Sequence, residues 1–176
     1  MAAPGALIAA AAALLIAGCG GGSKGASGAA TTSPATATTT TTGAAVASAS
    51  APVRVSTATV PGLGVVLVND QGHTLYAFLR DAHHSVTCVG SCAGVWPPLK
   101  LSSGAHLAAS GEARLSLMGS YPDPEGGRVV TYAGWPLYTF VSDTGPGTAH
   151  GQALNLNGGL WYVLSPSGAL IEKKPQ

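Results

Sequence analysis

"TLYAFLRD" (residues 74–81) and "PLYTFVSD" (residues 136–143) are two versions of one octet. Leu75 and Leu137, Tyr76 and Tyr138, Phe78 and Phe140, and Asp81 and Asp143 each stand 62 residues apart. The match runs upstream without a gap, laying Leu67-Val68 on Val129-Val130 and Gly72 on Gly134, which argues for internal duplication. Each copy reads as a β-hairpin. In the first, "LGVVLV" (63–68) is a β-branched run, "NDQG" (69–72) has turn chemistry, and "HTLYAFL" (73–79) continues as a strand. In the second, "RVVTY" (128–132), a tight "AG" and "WPLYTFV" (135–141) repeat the pattern. Alternation puts Tyr76 and Phe78 on one face and Leu75, Ala77 and Leu79 on the other. Both faces are apolar, so both are expected to be covered. The repeated aromatics then read as paired core wedges of a pseudo-symmetric β domain, ahead of a ligand-stacking pair.

A Trp segment follows each hairpin, "GVWPPL" (94–99) with Trp96 and "GLWYVL" (159–164) with Trp161. Here the chain resembles the bacterial secreted-repeat lipoproteins marked by a Tyr-x-aromatic-x-x-Asp motif. The matching residues are Tyr76, Phe78 and Asp81, then Tyr138, Phe140 and Asp143. "CVGSCAGVWPPL" (88–99) and "GGLWYVLSPSG" (158–168) extend the likeness over nearly all of residues 60–170. The resemblance implies an envelope lipoprotein with two tandem repeats, about 63–99 and 128–164, and no established catalytic activity.

The N-terminal region reads as an address and a tether. Residues 6–17 are a 12-residue apolar run ending in "IAGC" at Cys19. That is shorter than the ~20 residues that span a bilayer and has the length of a signal-peptide core. "IAGC" resembles a bacterial lipobox, which predicts a signal peptide over 1–18 and a lipid on Cys19 as membrane anchor. "MAAPGA" lacks the usual Lys or Arg of such signals. In residues 20–52 only Lys24, Pro34, Val46 and Pro52 depart from Ala, Gly, Ser and Thr. Such a segment cannot bury enough apolar area to offset its ordering entropy, so 19–52 reads as a lipidated Cys with a disordered tether. All ten aromatic residues lie at or beyond Tyr76, which puts the folded domain in 53–176.

"HHSVTCVGSC" (83–92) is the most chemically suggestive stretch. With Cys19 assigned to lipid, Cys88 and Cys92 remain, and an exported chain meets oxidising conditions that favour a disulfide. An extended chain would hold their Cα atoms ~13 Å apart, beyond the ~4.4–6.8 Å a bridge needs, so "CVGSC" should be turned. The alternative is a copper or redox site, with the two thiolates completed by His83, His84 or His73. Asp81 and Asp143 end their strands, where a carboxylate accepts backbone N–H groups of the following loop. The competing reading, an acid/base pair, needs the two to converge within several Å.

Charge is sparse, 8 Lys+Arg against 7 Asp+Glu, and no basic run is present, which argues against a nucleic-acid partner. No nucleotide loop, nucleophile elbow or zinc-protease helix is present. The expected fold is mostly β, antiparallel, with about seven or eight short strands in two pseudo-repeated hairpin units forming one small domain. The expected function is a non-catalytic envelope lipoprotein, structural or binding an unknown protein or envelope ligand, with no cofactor. The alternative is a periplasmic or cell-surface redox or copper-handling protein.

Overall fold

In the computed structural model, residues 50–81 and 84–174 are described. The first strand comes from "VRVSTATV", whose valines and threonines alternate: β1 (Val53–Val60) turns through Pro61, Gly62 and Leu63 into β2 (Gly64–Val68). β2 turns again at Asn69, whose side-chain oxygen accepts the N–H groups of Gln71 and His73 at 3.0 and 2.9 Å. Gly72, at φ 81°, lets the chain double back into β3 (Tyr76–Phe78). A short helix, α1 (Ser91–Val95), and β4 (Lys100–Leu101) follow. β5 (Leu107–Ala109) then returns to β1.

The second repeat retraces this path. β6 (Met118–Pro122) and β7 (Arg128–Tyr132) form its first hairpin, and β8 (Trp135–Pro136) folds back on β7. β9 (Asn155–Leu156) and β10 (Gly159–Val163) close the domain. The strands form three sheets, β2-β1-β5, β3-β10-β9 and β4-β7-β6 with β8 on β7. The fold is mostly β, as expected. It has ten strands among the described residues, more than expected, because β1, β5 and β9 arise from segments not read as strands. β1 and β5 pair in parallel, against an otherwise antiparallel pattern. "WPLYTFV" is a strand only at its first two residues, and near the C-terminus a single bridge joins Leu164 to Leu170.

The repeats are not side by side; they exchange strands. β3 of the first pairs with β10 of the second, placing Phe78 opposite Trp161. The segment after Trp96 crosses the other way, with Pro98 bridged to Tyr138 and Lys100 opposite Val129. At the centre Tyr76 and Tyr138 exchange backbone hydrogen bonds of 2.8 and 3.0 Å, so a local pseudo-twofold axis passes between them. This corrects the sequence register by one residue. Leu67 O accepts Leu75 N–H while Val130 O accepts Leu137 N–H, and Leu67 N–H donates to Leu164 O while Val130 N–H donates to Leu99 O. Leu67 is therefore the counterpart of Val130, not Val129, because the Asn69 turn holds one more residue than the Ala133-Gly134 turn.

Two buried clusters sit on opposite faces of the central segments. Tyr76, Phe78, Tyr138, Phe140, Trp96 and Trp161 dominate one. Leu75, Ala77 and Leu137 join Leu67, Val130 and Tyr132 in the other. Both faces are covered, and the alternation read from the octets places Leu75, Tyr76, Ala77 and Phe78 on their observed sides; it ends at Leu79, which opens a short 3-10 turn (Leu79–Asp81) and joins neither cluster.

Candidate functional site

The repeated motif residues meet around the axis. Tyr76 donates its hydroxyl to Asp143 Oδ2 at 2.5 Å, and Tyr138 donates to Asp81 Oδ2 at 2.5 Å. Each carboxylate turns its other oxygen to the loop that follows it. Asp81 Oδ1 accepts Thr87 N–H at 2.8 Å and the Thr87 hydroxyl at 2.6 Å. Asp143 Oδ1 accepts His150 N–H at 2.8 Å and faces His150 Nδ1 at 3.1 Å. Both aspartates are buried. Burial pushes the Asp81 carboxyl above its ordinary value, opposed by the hydrogen bonds from Thr87 and Tyr138 and by the Arg80 charge. The two tyrosine hydroxyls are pushed far up, first by burial and then by the carboxylate each one faces. Each carboxylate is thus enclosed by a tyrosine of the other repeat and by its own loop, an arrangement that braces the chain.

The aromatic residues form one continuous stack. Phe78 lies on Trp161 (centroids 4.1 Å), Trp161 on Trp96 (3.9 Å, planes 3° apart), and Trp96 on Phe140 (4.2 Å). Tyr76 meets Trp96 edge-on at 5.4 Å and Tyr138 meets Trp161 edge-on at 5.2 Å. Stacked and edge-to-face pairs of this kind add about 0.5–1.5 kcal/mol each beyond area burial. The symmetry breaks at the indole nitrogens. Trp161 Nε1 donates to Leu156 O at 3.0 Å, whereas buried Trp96 Nε1 has no partner among the described residues. The stretch before Trp96 is helical, and its Cys92 carbonyl is taken by the Trp96 backbone N–H at 2.8 Å.

Cys88 and Cys92 form a disulfide with Cα atoms 5.1 Å apart. The loop is turned as its spacing requires: Cys92 N–H donates to Val89 O, and Gly90 adopts φ 60°. Cys88 packs into the aromatic cluster and Cys92 lies in α1. The histidines weighed as copper ligands are not gathered there. His84 Nδ1 contacts the Tyr121 hydroxyl, and His73 Nδ1 lies 3.0 Å from Asp143 O. His83 lies outside the described residues, as do Cys19, the 1–18 signal and most of the 20–52 tether. Among the described residues no group of three or more His, Cys, Asp or Glu is placed to hold a metal ion.

Two features escaped the sequence. β1 was missed because Arg54, Ser56 and the threonines dilute its apolar character; the period-2 pattern ending at Pro61-Gly62 was the available signal. His150 was missed because it follows Asp143 by seven residues, where Thr87 follows Asp81 by six. His150 lines a cavity of about 400 Å³ with Val60, Pro61, Leu63 and Ala149, between the β1–β2 turn and the loop after Asp143. Its side chain is 62 % exposed, while that of Asp143 is fully buried.

A family model described as a secreted repeat of unknown function matches the chain twice, over residues 57–100 and 122–165. The two matched spans begin and end 65 residues apart, which is also the spacing of Trp96 and Trp161. No curated protein and no solved structure matches the chain.

Proposed function

We propose a function from this premise: the chain belongs to the family of secreted repeats of unknown function. Membership implies export, to the envelope or beyond it. Within that frame the chain is an envelope lipoprotein. Residues 1–18 are its signal peptide, Cys19 carries the lipid, 19–52 is the tether, and 53–176 is a non-catalytic domain that braces or binds an envelope partner.

One observation carries the domain reading. All six motif residues, together with Trp96 and Trp161, are spent on each other: the tyrosines and aspartates in reciprocal hydrogen bonds, the other rings in a buried stack. The most strongly repeated letters therefore support a rigid scaffold, and contact with a partner falls to surface loops. The copper alternative needs free thiolates at Cys88 and Cys92, the two sulfurs that are joined in the disulfide.

The anchor is tested by metabolic labelling with a radioactive fatty acid in a bacterial host. The native chain is expected to take up label, and Cys19→Ala to lose both label and signal-peptide processing. Normal labelling of that variant overturns the anchor.

A further inference from the structure

The two repeats serve as controls for one another. Thr87 satisfies Asp81 Oδ1 with its N–H and its hydroxyl. His150 satisfies Asp143 Oδ1 with its N–H and its ring Nδ1. The structural task is the same, and threonine performs it with no group left over. Histidine performs it and leaves a second ring nitrogen on an exposed side chain, backed by a fully buried carboxylate.

The surroundings differ in the same sense. In the half with Thr87, the β6–β7 loop is tied to the neighbouring segment. Glu125 Oε1 accepts Gly90 N–H at 2.9 Å, and the Tyr121 hydroxyl meets His84 Nδ1. In the half with His150, the corresponding β1–β2 turn leaves the cavity of about 400 Å³. That volume falls within the roughly 300–1,000 Å³ of small-ligand sites. Leu63 and Ala149 pack against the aromatic cluster, so the cavity's floor is apolar and the imidazole is its ionisable group.

The ring's chemistry follows from its neighbours. In the neutral ring, with Nδ1–H donating to the carboxylate, Nε2 carries the lone pair and accepts. An apolar cleft with one accepting nitrogen is complementary to a small apolar molecule bearing one hydroxyl. We propose that this cleft binds such a molecule, of the phenol kind. Its hydroxyl donates to His150 Nε2, and its apolar body lies on Pro61, Leu63 and Ala149. Asp143 is a positioning residue that holds the imidazole in the accepting tautomer. The inference rests on reading the domain as a binding module and is independent of the lipid on Cys19.

The test titrates the full chain with 4-ethylphenol and with ethylbenzene, following the His150 ring and Ala149 methyl signals by NMR. The phenol is expected to give saturable shifts at both positions and to bind about tenfold or more tighter than the hydrocarbon. His150→Thr copies the first repeat's arrangement. It is expected to keep the native Tm and to lose the phenol's advantage over ethylbenzene. Three results overturn the proposal: no saturable shift at millimolar phenol, undiminished phenol binding in His150→Thr, or a ring shift produced by Zn²⁺ but not by the phenol. None of these alters fatty-acid labelling of Cys19, and loss of that labelling leaves the titration untouched.

Discussion

Tyr76 and Asp143 stand 67 residues apart, in different repeats, yet share a buried hydrogen bond of 2.5 Å; Tyr138 and Asp81 return the same bond in the other direction. A motif written within one repeat therefore does its work between repeats. Tyr76→Phe should leave Asp143 Oδ2 buried without its donor and lower stability by about 1–3 kcal/mol. Tyr138→Phe should cost a similar amount at Asp81. Urea unfolding of the two variants checks this, and a near-neutral result for both would remove the bonds from the fold's support.

The same hydroxyls predict an alkaline limit. Both are raised far above the ordinary tyrosine value, by burial first. The native state keeps its protons after the unfolded chain has lost them, so their stabilising contribution is fully present below the unfolded value and is lost above it. Stability should therefore fall as pH rises beyond about 10, by about 2.7 kcal/mol per pH unit for two groups. Tyr76→Phe should halve that slope in unfolding curves recorded from pH 9 to 12.

The ring stack makes Phe78 and Phe140 its two ends. Phe78→Ala and Phe140→Ala should each cost about 3–5 kcal/mol, the usual range for a buried phenylalanine. Near-UV circular dichroism should also lose the signal of the Trp96–Trp161 pair as its support is withdrawn. A stable variant with an unchanged spectrum would contradict the shared stack.

The disulfide closes a very short loop. Replacing both Cys88 and Cys92 by Ser should lower stability by about 2 kcal/mol on the chain-entropy estimate while leaving the fold intact. Alkylation of never-reduced protein should leave its mass unchanged at these two positions. Uptake of two alkyl groups would show free thiols and restore the copper reading.

Several elements of this molecule were legible from its letters. Two octets identified the hairpins, alternation assigned Tyr76 and Leu75 to opposite faces, and the Cys-x-x-x-Cys spacing required a turn. Those are local inferences, set by strand period and reach. The crossing of β3 with β10 was not legible, because pairing between residues such as Phe78 and Trp161 depends on tertiary closure and leaves no local pattern. The one-residue slip between Leu67 and Val130 hid in a turn, where an added residue costs little and shifts every letter before it. At the site, the aspartates' capping of their loops was legible. The value of His150 was not, since only the folded chain shows that Thr87 does the same task with no nitrogen to spare.

The exchange of strands makes this chain the covalently joined form of a twofold dimer. Residues 102–117, between β4 and β6, hold the two halves at high effective concentration and also contribute β5, which pairs with β1. Cleavage there should leave a nicked complex that migrates as one species until denatured. A constraint on copy number also follows. Each hairpin is completed by a Trp segment it does not encode, so adding or deleting one repeat would strand a hairpin without its cover. Growth by this architecture must proceed in pairs.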